Sequence, residues 1–361
     1  MVFADINCLL FIGACLAQVF FLGYFIRPLR KNTVPVSKSS PPLSILIVGR
    51  NERSNLEKLL PLLVNQKYPD FDIHLVDDAS EDGTADMVRD LIPRFPSIRL
   101  QVLPRHCGKK KALETGLMQL DRELVLLTDA DCLPATDQWI SLMVESLDPG
   151  YDVVLGYSPY EQREGPLNQV IRLETAYTAA LYFGFARRNL AYMGVGRNLL
   201  YRRTALVHAF NLNAQRGLKS GDDDLTIQEL SGQGKINFRY DPPSWVYSLP
   251  EKNWKAWLNQ KKRHVGTARH YRLRHQALLL MWYGSLAGTW VFGLVAAFHF
   301  PLMLLVWGGY KGVSFKWIVR SMLELFGVSL SPSKWLGAEG LYVGVLLYLL
   351  PFSTFKKWDK W

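Results

Sequence analysis

The sequence predicts an α/β domain with a mostly parallel sheet, flanked by apolar segments towards both ends of the chain. Two observations predict the domain: short apolar runs alternate with amphipathic stretches, and polar residues follow each run. Strands that alternate with helices form parallel, doubly wound sheets. The third observation is that two uncharged runs, 6–26 and 276–310, flank this region and reach the length of roughly 20 residues that a bilayer core requires.

The N-terminal segment, residues 1–30, is predicted to be a retained transmembrane anchor. Three basic residues follow its uncharged run: Arg27, Arg30 and Lys31. A secretory signal would instead carry its basic residues before the apolar run and a cleavage site after it. By the positive-inside rule, the polar region at 31–250 is therefore expected to be a cytosolic domain.

Four apolar runs in this domain predict strands, at 45–48, 71–76, 98–103 and 124–128. Helices are expected at 84–91, at 109–120 and directly after the first strand. For the helix after the first strand, Ser54 and Glu57 have the spacing of a capping box. Its apolar face consists of Leu56, Leu59, Leu60 and Leu63.

Polar residues at the ends of the predicted strands indicate a binding site. They are Asn51, Glu52, Asp77, Asp78, Arg105, Asp129 and Asp131. In an open α/β sheet, ligands bind beyond the carboxyl ends of the strands. Carboxylates and a guanidinium that converge there predict a site for a metal ion and phosphate groups, because ordinary polar loops would not repeat this pattern at four strand ends.

Asp129 and Asp131 are the candidate metal ligands. Two carboxylates that lie two residues apart can bind one hard cation, Mg²⁺ or Mn²⁺, which also bridges the phosphates of a nucleotide. The triplet alone is a weak signal, since it occurs in many turns. Its position directly after a strand strengthens the prediction.

A second site-like stretch lies at 194–198. Two glycines there let the backbone approach a ligand, and Arg197 adds a donor that suits phosphate. A tight turn before a strand at 199–202 explains the same residues equally well.

The C-terminal part, 277–361, is predicted to be a second membrane region. It contains most of the long uncharged run, which Pro301 divides into a span and a returning or re-entrant segment, and a shorter apolar run at 341–355. With the anchor this gives three or four spans, so a multi-pass protein of the inner (plasma) membrane is expected. Residues 251–276 predict an amphipathic helix in the headgroup region.

The net charge of +10 favours membrane lipids and a diphosphate substrate over nucleic acid as partners. The reason is that basic residues gather beside apolar segments, as in the four arginines at 263, 269, 272 and 274. The four cysteines and seven histidines lack the spacing of a zinc site. The sequence also lacks the nucleophile elbow of serine hydrolases and the phosphate loop of P-loop hydrolases, which argues against both classes.

Taken in order along the chain, a set of motifs resembles those of family-2 glycosyltransferases. They are Asn51-Glu52, Gln66-Lys67-Tyr68-Pro69, Val76-Asp77-Asp78-Ala79-Ser80, Gly108-Lys109-Lys110-Lys111-Ala112-Leu113, Asp129-Ala130-Asp131, Gly221-Asp222-Asp223-Asp224-Leu225 and Gln260-Lys261-Lys262-Arg263-His264. The resemblance covers residues 44–271. It implies the GT-A fold of nucleotide-diphospho-sugar transferases and inversion at the anomeric carbon.

The same resemblance implies roles for individual residues. The donor-binding residues that it implies are Glu52 and Asp78 for the nucleoside, with Asp77 close by, and Arg105 and Lys109 for the diphosphate. Asp129 and Asp131 would position the metal ion. Three lysines at the start of a predicted helix, where cations are disfavoured, also suggest a nearby anion.

An inverting transfer requires one carboxylate that takes the proton of the acceptor hydroxyl. The family places this base three residues before a leucine, which selects Asp222 through Leu225. Asp223 remains the alternative, because Gly221 stands where many members carry an acid. An acidic helix N-terminus would also occur without catalysis.

Gln260 and Arg263 match the Q-x-x-R-W signature of the family, but His264 stands where tryptophan is usual. In polymerising members that tryptophan lies beside the acceptor sugar. Its replacement therefore puts processive synthesis in doubt. The same residues also fit an amphipathic helix that rests on the membrane while Arg263 reaches the diphosphate.

We therefore expect a metal-dependent, inverting transfer of a sugar from a nucleotide-diphospho-sugar to a lipid-linked or membrane-proximal acceptor. A processive polysaccharide synthase is the alternative within enzymes. A membrane scaffold that binds nucleotide sugars or acidic lipids without turnover is the alternative from another class, and the retention of Asp129, Asp131 and Asp222 together argues against it.

Overall fold

The computed structural model describes residues 2–30, 39–214, 222–232 and 236–354, and the chain divides into two units. The first comprises Met1–Asn32, Gln162–Leu190 and Pro250–Trp361. The second comprises Thr33–Glu161 and Ala191–Leu249. Residues 162–190, which the sequence prediction includes in the cytosolic domain, therefore fall in the first unit with the predicted membrane segments.

The elements of the two units are as follows in chain order. The strands are β1 (Leu43–Gly49), β2 (Phe71–Asp77), β3 (Ile98–Val102), β4 (Leu124–Asp129), β5 (Cys132–Pro134), β6 (Val153–Leu155), β7 (Leu199–Arg202), β8 (Ile236–Phe238) and β9 (Val246–Ser248). The helices of the second unit are α2 (Arg53–Val64), α3 (Thr84–Leu91), α4 (Lys109–Leu117), α5 (Trp139–Glu145), α7 (Arg203–Ala214) and α8 (Asp222–Ser231). Those of the first unit are α1 (Val2–Phe21), α6 (Pro166–Ala186), α9 (Trp254–Ala268), α10 (Leu273–His299), α11 (Leu302–Ser314), α12 (Arg320–Leu325) and α13 (Pro332–Thr354).

The second unit is built on a seven-stranded sheet with the order β3-β2-β1-β4-β7-β6-β8. β1 lies between β2 and β4 and is parallel to both, and β3 is parallel to β2. β7 is antiparallel to its neighbours β4 and β6, and β8 is parallel to β6. The predicted mostly parallel sheet is confirmed, and the four predicted strands agree with β1 to β4 within two residues at each end.

Burial on both faces explains why these strands are continuous apolar runs. Ile45 and Ile47 of β1 and Leu126 of β4 lie in one buried cluster with the predicted leucine face of α2. Trp139 of α5 belongs to the same cluster and is fully buried. The core therefore fixes the strands that carry the predicted site.

The start of α2 differs from the prediction. The predicted capping box of Ser54 and Glu57 is wrong, because the helix begins at Arg53 and Glu52 occupies the N-cap position. The hydroxyl of Thr84 accepts the Glu52 N–H at 3.2 Å, so the first residue of α3 supplies an acceptor at this helix start. Glu57 instead accepts a hydrogen bond from the Arg53 guanidinium at 3.2 Å.

In the first unit, two helical segments among the described residues are long and apolar enough to cross a membrane: Asp5–Leu29 and Leu273–His299. The second is α10, and α11 follows it after two residues. Trp307 of α11 donates its indole N–H to the Thr289 carbonyl of α10 at 3.0 Å, so the two helices pack side by side. This agrees with the predicted span and returning segment, while the number of crossings stays a prediction.

A buried polar network joins four helices of the first unit. Lys311 Nζ of α11 lies 2.6 Å from Glu339 Oε2 of α13 and 3.1 Å from the Thr289 hydroxyl of α10. Glu339 also accepts hydrogen bonds from the Tyr177 hydroxyl of α6 at 2.7 Å and from the Trp290 indole at 2.8 Å. Both charges are thus paired and hydrogen-bonded, which buried charges require.

Candidate active site

The sheet register brings the ends of three strands together in the second unit. Gly49 at the end of β1 pairs with Asp77 at the end of β2, and Val48 pairs with Asp129 at the end of β4. Because these strands are parallel, their carboxyl ends lie on one edge of the sheet. The predicted site residues that follow β1, β2 and β4 therefore start from neighbouring positions.

Asp129 and Asp131 lie between β4 and β5. Their carboxylate oxygens and the Cys132 sulfur lie within 4.8 Å of one another. Cys132 is buried, its thiol donates to Asp131 Oδ1 at 3.3 Å, and burial raises its pKa, so it stays protonated. Two oxygen ligands from carboxylates beside a neutral thiol fit a hard divalent cation such as Mg²⁺ or Mn²⁺.

Lys109, the first residue of α4, is the partner of Asp129. Its ammonium nitrogen lies 2.6 Å from Asp129 Oδ1. Burial alone would lower the pKa of Lys109, but the carboxylates of Asp129 and Asp223 outweigh it and raise the pKa. Burial would likewise favour a protonated Asp129, yet Lys109 and Arg197 hold its pKa below the usual value. Both groups are therefore charged at neutral pH.

Arg197, in the turn before β7, interacts with the Asp129 carboxylate. Its guanidinium carbon lies 4.7 Å from the centre of the Tyr160 ring, a cation–π contact. Although burial opposes the charge, the Asp129 carboxylate raises the pKa of Arg197. The phosphate-type role of Arg197 stays a prediction, beside that of a turn before the strand. The sequence prediction did not include Tyr160, because no motif marks a ring that orients a distant arginine.

Glu52 lies near the candidate metal ligands. Burial raises its pKa, and the charges of Asp131 and Asp129 raise it further, whereas a hydrogen bond from Asn55 Nδ2 at 2.6 Å lowers it. Its backbone is fixed at the start of α2, next to Asn51, which adopts a left-handed φ of 58°. The structure therefore brings Glu52 to the site, where its nucleoside role remains a prediction.

The Asp223 carboxylate lies close to the backbone of Gly196. A methyl group on Gly196 would lie 2.1 Å from Asp223 Oδ2, so glycine is needed where this carboxylate contacts the turn before β7. Asp223 also raises the pKa of Lys109. Asp222 begins α8, but its side chain lies outside the described residues. The geometry thus places Asp223, the alternative base, beside the charged cluster.

Asp77 and Asp78 are held by local contacts. Asp77 accepts hydrogen bonds from the backbone N–H and the hydroxyl of Ser80. Asp78 is 2 % exposed and accepts three hydrogen bonds from the loop between β3 and α4. Arg105 lies exposed in that loop, and His106 is the side chain of the loop that contacts Asp78. Sequence reasoning selected Arg105 and missed His106.

Gln260 and Arg263 lie on α9 in the first unit, so their predicted roles towards the diphosphate remain predictions. The contact that the structure adds on this helix is an ion pair between Lys261 and Glu174 of α6, at 2.6 Å. It is largely buried and ties α9 to α6.

The comparisons with known proteins agree with this geometry. The family model described as Glycosyl transferase family 2 matches residues 44–210. The chain carries a glycosyl transferase family 2 domain. The predicted resemblance is therefore confirmed, and the matched segment contains the candidate metal ligands, Lys109, Arg197 and Glu52.

Two relatives with different named activities are similar to this chain. An undecaprenyl-phosphate 4-deoxy-4-formamido-L-arabinose transferase of Edwardsiella ictaluri is 34% identical over 116 residues, covering 31% of this chain and 35% of the relative. A poly-beta-1,6-N-acetyl-D-glucosamine synthase of Staphylococcus epidermidis is 23% identical over 225 residues, covering 60% of this chain and 52% of the relative. Each match thus spans little more than half of the relative, or less.

A solved structure extends the likeness beyond the family 2 domain. The mannosyltransferase PcManGT of Pyrobaculum calidifontis, solved in complex with GDP-Man and Mn²⁺, aligns over 99% of both chains with a TM-score of 0.65 and 19% identity. At this identity the likeness concerns the fold, which it supports across the described length of both units.

The close approach of Gly196 and Asp223 yields a first prediction. We expect Gly196→Ala to displace the Asp223 carboxylate and to reduce sugar transfer at least about tenfold, because charges at a catalytic site are sensitive to small displacements. The melting temperature should change little, since the displaced group is the end of a side chain. Gly150→Ala is the matched control, because a methyl group there meets no atom within 4 Å. Normal transfer by Gly196→Ala would contradict the placement of Asp223.

Proposed function

We propose that the chain transfers a sugar, with inversion, from a nucleotide-diphospho-sugar to a membrane-associated acceptor and uses Mg²⁺ or Mn²⁺. The observation that carries this proposal is the charge arrangement at one edge of the sheet. Asp129 and Asp131 lie there with Lys109 and Arg197, in a domain of glycosyl transferase family 2.

The balance of charge supports a metal ion and a diphosphate. Lys109 interacts with the carboxylates of Asp129 and Asp223, and Arg197 interacts with that of Asp129. Glu52 lies near Asp129 and Asp131. A divalent cation would offset the excess of carboxylates over cationic side chains in this cluster. When bound, that cation neutralises the charge that develops on the departing nucleoside diphosphate.

The side chains of the site would divide the remaining work. Lys109 and Arg197 donate to phosphate oxygens, and both stay charged throughout. Glu52 and Asp78, with Asp77 close by, would hold the nucleoside. Gln260 and Arg263 of α9 and Arg105 would add contacts to the diphosphate.

Inversion follows from a single displacement. The acceptor oxygen forms a bond to the anomeric carbon while the bond from that carbon to the diphosphate breaks. The hydroxyl proton passes to a carboxylate of Asp222 or Asp223. The contact of Asp223 with Gly196 and its charge interaction with Lys109 favour Asp223 for this role.

The acceptor is proposed to be lipid-linked or close to the membrane. α1 with its extension and α10 are long and apolar enough to span a bilayer. The relative named as an undecaprenyl-phosphate transferase acts, by its name, on a lipid phosphate, and PcManGT was solved with GDP-Man and Mn²⁺. We therefore place the protein in the inner membrane as a multi-pass protein in contact with lipids, with the catalytic domain in the cytoplasm.

One sugar is proposed to be added per acceptor. His264 stands where a tryptophan would support a growing chain, and the few predicted spans leave little room for a polymer tunnel. Because one relative is a poly-beta-1,6-N-acetyl-D-glucosamine synthase, a polymer is the competing class of product.

The proposal is tested with the purified full chain, a panel of nucleotide sugars and a polyprenyl-phosphate acceptor, read by nucleoside diphosphate release and mass spectrometry. We expect transfer that requires Mn²⁺ or Mg²⁺ and a single product one sugar heavier than the acceptor. Asp131→Asn should abolish transfer without changing the melting temperature, because it removes an oxygen ligand. Full turnover in a chelator would contradict the metal role, and a ladder of products would contradict single transfer.

A second experiment identifies the base. We expect Asp223→Asn to bind the nucleotide sugar with unchanged affinity and to lose transfer by roughly a hundredfold or more, as on removal of a general base. Asp222→Asn is its matched comparison, one residue earlier on the same helix. If Asp222→Asn alone has this signature, the base is Asp222; weak donor binding by both variants would mean that the segment is structural.

A further inference from the structure

The loop between β3 and α4 is fastened to one buried carboxylate. Asp78 Oδ1 accepts the Cys107 N–H at 2.7 Å, and Oδ2 accepts the Gly108 N–H at 2.9 Å. The third contact joins Oδ2 to His106 Nδ1 at 2.7 Å. A carboxylate has about four acceptor positions, so three of them are filled by consecutive residues of one loop.

The contact with His106 has a defined direction. An ionised carboxylate only accepts hydrogen bonds, so Nδ1 must carry the proton and donate it to Asp78. The His106 side chain is 53% exposed, whereas that of Asp78 is 4% exposed. The imidazole therefore covers a buried charge from the solvent side, which strengthens a charge-assisted hydrogen bond.

The loop held by Asp78 is followed directly by Lys109, the candidate phosphate-binding lysine. Gly108 adopts a φ of 89°, a conformation that favours glycine, and α4 starts at the next residue. That residue is Lys109, whose ammonium nitrogen lies 2.6 Å from Asp129 Oδ1. The backbone position of Lys109 is thus set by the contacts of Asp78.

We propose that His106 is a positioning residue, which acts through Asp78 to hold Lys109 against the metal and diphosphate site. Asp78 on this account fastens the loop, in addition to any contact with the nucleoside. The inference rests on the proposed function for its effect on turnover, but the fastening of the loop is independent of it. His106 would thus affect the reaction without contact to the reacting atoms.

The fastening is tested by hydrogen–deuterium exchange of the full chain without metal or nucleotide. We expect His106→Leu to speed exchange of the Cys107 and Gly108 amides about tenfold, because it removes a hydrogen bond to a charged group. His106→Asn should retain slow exchange, since the Asn Nδ2 takes the place of Nδ1. His208→Leu, at an exposed histidine of α7, is the control. Unchanged exchange in His106→Leu would overturn the proposal.

The route through Lys109 is tested by a double-mutant cycle on turnover with His106→Leu and Lys109→Met. We expect His106→Leu to lower kcat about tenfold with KM nearly unchanged, as when an interaction of the transition state is lost. In the Lys109→Met background it should lower kcat less than about twofold, because the residues act in series. If the two substitutions instead lower kcat by independent factors that multiply in the double variant, His106 does not act through Lys109. Absence of transfer by the unmodified chain would contradict the proposed function instead, and the exchange experiment would still decide the fastening.

Discussion

The site depends on the neutralisation of carboxylates that the fold forces together. Parallel strands deliver Asp77 and Asp129 to one edge, and Asp131 and Glu52 follow within three residues of a strand end. Burial raises the pKa of Glu52, and the nearby charges of Asp131 and Asp129 raise it further. The ion pair of Lys109 and Asp129, at 2.6 Å, offsets the repulsion among these carboxylates.

Two segments of the chain meet at that ion pair. The β3–α4 loop donates two backbone N–H groups to Asp78, and α4 then starts with Lys109, which pairs with Asp129. The turn before β7 uses Gly196 to admit the Asp223 carboxylate, and Arg197 beside it adds a second cation. A substrate with a diphosphate and a divalent metal would enter a site that is already charged on both sides. Such preorganisation is the usual source of electrostatic catalysis.

The sequence predicted those parts of the fold that depend on local pattern. The strands β1 to β4 were predictable because burial on both faces makes them continuous apolar runs, and α3 matches its prediction of 84–91. The predicted capping box failed because Thr84, distant in sequence, supplies an acceptor at the start of α2. Contacts between residues far apart, such as His106 with Asp78, leave no periodic signal.

Ion pairs between charges in apolar surroundings are likewise not predictable from the sequence, because their partners lie far apart along the chain. Lys311 directly follows one uncharged run and Glu339 lies just before another, so the sequence presents them as ends of membrane segments. The structure instead pairs them at 2.6 Å in a buried network. An isolated buried charge is costly, and the pair is tolerated because each charge also has hydrogen-bond partners.

The carboxylate pair of Asp129 and Asp131 is proposed to bind a divalent cation together with a nucleoside diphosphate. Calorimetric titration of the purified chain with GDP and UDP, with Mn²⁺ or with EDTA, measures this coupling. We expect at least one nucleotide to bind about tenfold or more tightly with Mn²⁺, and Asp129→Asn to remove this difference. Equal affinity in Mn²⁺ and in EDTA for the nucleotide that binds would contradict it.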